Sequence, residues 1–236
     1  MSRQVSMETK MKQHRCEKTG KDYIPYIRVS EFYSDGTRSG VIDQVSERTI
    51  HCLSQGEKYL FLSLRWNDNN VEIYEQMKLD LDDTNRIARK LGYKKVNQGK
   101  DCMTTDFLVV QKDGKKIALS FKYDKQFLTS EKKADKALVK RLLIEKEYWN
   151  EKGVDWFLIT MDDINLIRAK NVSMVMRYYD KNEVHDYISL VKHLIATKKI
   201  CVDMDDEILE FDNGSSPDKA AKAYLKSHKE EDDDDE

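Results

Sequence analysis

Two polar residues bracket the most strand-like stretch of the chain, Met103 to Tyr123, which reads MTTDFLVVQKDGKKIALSFKY. Asp106 opens the first apolar run and Lys122 follows the second, with Lys112-Asp113-Gly114-Lys115 between them. Asp-Gly between two strand-like runs is a strong local hairpin signal. Closing that hairpin brings the carboxylate and the ammonium to one mouth. Such a pair makes either an ordinary salt bridge or part of a metal-dependent hydrolytic centre, and for an isolated pair the salt bridge is the commoner outcome. A third group, Glu57, ends the string Ser54-Gln55-Gly56-Glu57. Serine followed three residues later by glutamate is a helix capping box, which accounts for Glu57 structurally. If the three groups converge, they are what phosphodiester hydrolysis needs. Carboxylates hold magnesium, the metal polarises the phosphate and acidifies a water, and a lysine orients that water or offsets developing charge.

The elements that must position them follow from the same string. The capping box starts a helix from Ser54 to about Trp66 that is apolar nearly all round and therefore buried. Asn67–Asn70 reads as a turn, Val71–Tyr74 as a short strand and Asp82–Leu91 as a helix ended by Gly92. Beyond the hairpin, a long helix of about residues 130–152 leads into Val154–Thr160 (VDWFLIT), an apolar strand. Strand, long helix and strand form a βαβ crossover, hence a parallel pair in a mixed sheet. Glu145 falls among Ala134, Leu138, Leu142 and Trp149 on the inward face of that helix. A buried carboxylate needs a partner, and a salt bridge to a neighbouring lysine is expected. Residues 1–20 read as mobile, Ser34–Thr37 as a turn and Gly40–Cys52 as a hairpin arm. Asp162–Met176 and Glu183–Lys199 are helical in pattern. A short strand is expected within Cys201–Phe211, and a helix over Asp218–Lys229 before a disordered tail.

Composition narrows the class. The chain has 236 residues, enough for one large domain with an appendage, and 36% are charged. No run approaches the roughly 18 apolar residues that span a bilayer. Cys16, Cys52, Cys102 and Cys201 are scattered, which points to free thiols in a reducing cytoplasm. His14 with Cys16 and His51 with Cys52 lack the usual spacing of zinc ligands. The net charge of −2 conceals an acidic end, with 14 acidic against 4 basic residues from Cys201 onward. A basic body with an acidic tail suits a binder of the nucleic-acid backbone, although a solvated tail explains the tail equally well.

A carboxylate before a hairpin whose return strand ends in x-x-Lys resembles the centre of the P-D…(D/E)-x-K nucleases, with Thr105-Asp106 for Pro-Asp and Ser120-Phe121-Lys122 for Glu-x-Lys. Longer strings sharpen this. Gly20–Pro25, Leu53-Ser54 with Glu57, Phe61–Leu64, Ile73–Gln76, Met103–Val109 and Tyr148-Trp149 before Trp156-Phe157 together resemble the TnsA transposon endonucleases, in order from about residue 20 to 170. The resemblance implies an α/β fold: a restriction-endonuclease-like mixed β-sheet flanked by helices. It implies an endonuclease domain over 21–170; the residues themselves add a flexible basic N-terminus (1–20), a small, mainly helical C-terminal region (171–212) whose partner binding is a hypothesis from position alone, and a linker with an acidic disordered tail (213–236). It further implies cutting of the 5′ strands at transposon ends by a Mg2+-dependent enzyme, with Mn2+ as a substitute. The implied partners are transposon-end DNA, a TnsB-like transposase that cuts and joins the 3′ ends, and a TnsC-like ATPase regulator, with no membrane association. Glu57 and Asp106 take the metal-binding positions, joined by the Phe121 carbonyl, and Lys122 takes the family's lysine. Ser120 stands where the family has glutamine and supplies no amide. Glu145 matches a glutamate of the following helix. The alternatives are a DNA-binding assembly subunit of the transposase complex with weakened or lost nuclease activity and, in third place, a stand-alone restriction or repair nuclease.

Overall fold

The computed structural model describes residues 5–31 and 37–233. The chain divides into two compact units, Met1–Val41 with Arg48–Ile164, and Ile42–Glu47 with Asn165–Glu236. The expected turn at Ser34–Thr37 lies largely outside the described residues.

The first unit begins with α1, Met7–Lys12, capped by Ser6, whose hydroxyl accepts from the Thr9 amide. Within the segment expected to be mobile, described residues Lys10 and Arg15 are instead tied down by charge pairing. Arg15 is fully buried, with its guanidinium on Glu31 and on the Tyr26 carbonyl, and buried Lys10 meets Asp101 at 3.0 Å. A basic segment without apolar period looks mobile until its acidic partners, at Glu31 and Asp101, are known.

Strands β1 (Ser39–Asp43) and β2 (Arg48–Cys52) form a two-stranded sheet. Helix α2 spans Gln55–Trp66 from its Ser54 cap, as the capping box predicts, and buries Leu60, Phe61 and Leu62. Full burial of such side chains is worth about 1.5–3 kcal/mol each. Strand β3 (Asn70–Lys78) is longer than the short strand expected, because both of its faces are covered. Helix α3 (Leu81–Lys90) follows, capped by Asp80.

The predicted hairpin is β4 (Thr104–Gln111) and β5 (Lys116–Phe121). Helix α4 (Lys133–Glu151) then crosses to β6 (Asp155–Ile159). The sheet order is β3-β4-β5-β6, antiparallel except for the parallel β5–β6 pair that the crossover requires. On one face, Leu108 and Ala118 join Ile87, Ala88, Ile144, Tyr148 and Trp149 of α3 and α4 in the core. Strand alternation turns Phe107 to the other face, where it stacks on Phe61 of α2. The sheet is thus flanked by helices on both sides.

The second unit holds α5 (Leu166–Val175), α6 (Tyr187–Ala196) and α7 (Ser216–Asp233). No strand forms within Cys201–Phe211. Buried Asn171 of α5 takes that segment's main chain, with its amide on the Met204 and Glu207 carbonyls and its oxygen on the Leu209 amide. Arg168 clamps Asp205 through two bonds of 2.5 Å. Helix α7 continues to Asp233, past the end expected at Lys229.

Candidate active site

Asp106, Ser120, Phe121 and Lys122 meet where β4 and β5 part. Their ladder runs from Val110↔Lys116 to Phe107↔Leu119 and stops. The Asp106 carboxylate then accepts from the Phe121 amide at 2.7 Å, serving a strand N–H that the ladder no longer pairs. Lys122 stays in register through its own amide, which donates to the Ile159 carbonyl of β6 at 2.9 Å. Its ammonium donates to the Phe121 carbonyl at 2.5 Å and lies 3.6 Å from Asp106 Oδ2. One cation is thus shared by a carboxylate and a main-chain oxygen. The side chains of Asp106 and Lys122 keep 17% and 29% exposure, enough for a substrate to reach.

Glu57 reaches this end of the sheet from the first turn of α2. Only the serine half of the capping box is formed: Ser54 Oγ accepts from the Glu57 amide, and Glu57 Oε1 takes the Ser54 hydroxyl, each at 3.1 Å, not the Ser54 amide. Glu57 Oε2 accepts from the Leu53 amide at 2.9 Å and from the Gln76 amide at 3.3 Å. The capping role and the clustering therefore coexist in one side chain. Burial, and then the negative charge of Asp106, push the Glu57 carboxyl well above the usual carboxylate range, with Lys122 acting the other way. Gly56 sets the approach of α2 to β5. A Cβ there would lie 2.0 Å from the Phe121 ring, so only glycine lets Glu57 come this close to β5.

Glu145 is buried and does not pair with a lysine. Its Oε1 accepts from Ser120 Oγ at 2.5 Å and from Thr105 Oγ1 at 2.7 Å, and the Trp149 indole in turn donates to Thr105 at 2.6 Å. Hydroxyls satisfy a buried carboxylate without bringing in a second charge, which explains why the expected salt bridge is not made. Burial first, and Asp106 second, raise its carboxyl to about 7. Ser120 is spent on Glu145 and is itself buried. Its hydroxyl ties β5 to α4 instead of facing Lys122.

The structure therefore brings Glu57, Asp106, Phe121 and Lys122 together at one end of the hairpin and places Ser120 with Glu145 in an adjoining buried network. Glu57, Asp106 and the Phe121 carbonyl are the oxygen donors of the kind that hard divalent cations take. Among the described residues, no three His, Cys, Asp or Glu side chains are grouped as ligands of one ion. Gly56 and Gln76 were missed as contributors. A glycine in a helix's first turn is the trace that could have flagged the first, while nothing local marks the second. The described cysteines are all free, and no described helix is long and apolar enough to cross a membrane.

The chain is similar to known proteins over this region. Residues 67–161 match the family described as TnsA-like endonuclease N terminal, a stretch that contains Asp106, Ser120, Lys122 and Glu145 and begins after Glu57. The transposon Tn7 transposition protein TnsA of Escherichia coli is 35% identical over 175 residues, covering 72% of this chain and 61% of the relative. The chain thus spans less than two thirds of that relative's length. Residues 67–161 thus match a TnsA-like N-terminal endonuclease domain, of the restriction-endonuclease-like kind.

Proposed function

We propose that this protein is the DNA endonuclease subunit of a transposition complex, cutting the 5′ strands at transposon ends by Mg2+-dependent phosphodiester hydrolysis. A TnsB-like transposase would cut and join the 3′ ends, and a TnsC-like ATPase would regulate assembly. The observation that carries the reading is the meeting of Glu57, Asp106, the Phe121 carbonyl and Lys122 at one end of the hairpin. The donor set suits Mg2+ or Mn2+: two carboxylates and a carbonyl are hard oxygen ligands, and the repulsion between Glu57 and Asp106 is what a divalent cation offsets. When bound, such an ion supplies charge for the phosphate oxygens and acidifies a water. In this reading Lys122, partly exposed, orients the attacking water or offsets charge on the phosphoryl group. Glu145, by holding Ser120 and Thr105, fixes the ends of β5 and β4 from which Phe121 and Asp106 act.

One observation favours a second reading, a DNA-binding assembly subunit with weakened nuclease activity: Ser120 replaces the amide the family resemblance implies and is turned to Glu145. Strand-labelled transposon-end DNA, incubated with the chain and its partner transposase, separates the two. Cutting of the 5′ strand in Mg2+ that stops in EDTA is expected. Retained end binding without 5′ cutting would favour the assembly subunit, and cutting without the transposase would favour a stand-alone nuclease.

A further inference from the structure

Gln76 lies inside β3, yet its backbone is at φ +48°, the left-handed region that a non-glycine residue rarely adopts. Its neighbours keep the ladder to β4, Glu75↔Phe107 and Met77↔Thr105, which sets Gln76 opposite Asp106 at the step between. The Gln76 carbonyl is turned out to the Tyr26 amide at 3.1 Å and the Cys16 thiol at 3.6 Å. The side chain is buried and bonded at both ends of its amide. Its Nε2 donates to Glu57 Oε2 at 3.3 Å, and its Oε1 accepts from Thr104 Oγ1 at 3.1 Å.

We propose that Gln76 is a positioning residue that holds Glu57 ready to ligate a divalent cation through its other oxygen. A carboxylate only accepts hydrogen bonds, so the NH2 end of the amide must face Glu57, and the amide oxygen left on the far side is held by the Thr104 hydroxyl as donor. Glu57 Oε2 then carries two N–H donors, Leu53 and Gln76, whereas Oε1 carries only the Ser54 hydroxyl and keeps lone-pair capacity. Restraining one oxygen fixes the direction in which the other points. Outer partners of this kind typically govern metal affinity by 10- to 100-fold. The unusual backbone at Gln76 is the geometry that turns its amide toward α2, and it persists because Tyr26 and Cys16 hold the carbonyl.

The inference rests on Glu57 being a metal ligand, and the test separates the two ideas. Mn2+ binding to the full chain is measured by calorimetry for wild type, Gln76→Met and Thr104→Val. Gln76→Met should raise the Mn2+ dissociation constant about 10-fold, and Thr104→Val should raise it less, because the amide stays but loses its orienting partner. Excess Mn2+ should restore cleavage by Gln76→Met, which a purely structural defect would not allow. No Mn2+ binding by wild type would sink the metal-ligand reading itself. Wild-type affinity in both variants, each folded by circular dichroism, would overturn the role of Gln76. Should Gln76→Met fail to fold, Thr104→Val decides alone.

Discussion

Two buried glutamates near Asp106 have opposite surroundings. Glu57 takes two N–H donors on one oxygen and the Ser54 hydroxyl on the other, whereas Glu145 takes two hydroxyls on one oxygen, and both carboxyls are held above their ordinary range. For Glu145 the consequence is measurable. Folded, it keeps its proton to about 7, against 4.5 for a free glutamate. Between those values the folded state binds the extra proton, so Glu145 makes the protein less stable as pH rises from about 4.5 to about 7, and the loss is complete above that. Glu145→Gln should remove about 3 kcal/mol of that decline. Urea unfolding at pH 5 and pH 7.5 reads it, and parallel curves for wild type and variant would contradict the assignment. The sequence placed Glu145 inside but could not name its partners, since Thr105 and Ser120 lie 40 and 25 residues away.

The elements were legible where their signals are local. Asp-Gly closed the β4–β5 hairpin, Ser54 and Glu57 started α2, and the long helix between two strands foretold the parallel β5–β6 pair. Elements held by distant partners were not. Helix α1 is held through Lys10 by Asp101, Arg15 just after it by Glu31, and the loop at Cys201–Phe211 by Asn171. The close approach of α2 to β5 is another such case. Gly56→Ala should cost about 1–3 kcal/mol by overpacking against Phe121, and should slow cleavage by moving Glu57. Adding Phe121→Leu should recover part of the stability, as chemical denaturation would show. Full additivity of the two losses would mean that the contact does not matter. Arg48 of β2 meets both oxygens of buried Glu75 of β3, at 2.9 and 2.8 Å. Arg48→Met should therefore cost about 3–5 kcal/mol, because it strands a buried carboxylate. A melting curve unchanged from wild type would refute this.

At the scale of the whole molecule, the restriction-endonuclease-like domain was readable in outline because its strings recur in order, while the second unit was readable only as helical pattern. Charge is the other whole-molecule property. Glu230–Glu236 are seven acidic residues in succession at the end of a chain whose net charge is only −2. If this run screens the DNA backbone, deleting it should tighten non-specific DNA binding several-fold at low salt, with the gain fading as salt rises. Equal binding by the truncated and full chains would make the tail a solvating segment and nothing more.

The central claim is that Asp106 and Lys122, with Glu57, perform the cut. The most direct test is single-turnover cleavage of end-labelled transposon DNA in the assembled complex, comparing wild type with Asp106→Ala and Lys122→Ala at saturating Mg2+. The account predicts that both variants bind the ends and lose 5′-strand cutting by about a thousandfold or more, on the scale of a lost charge-stabilising group. Equal 5′ cutting by all three proteins would contradict it.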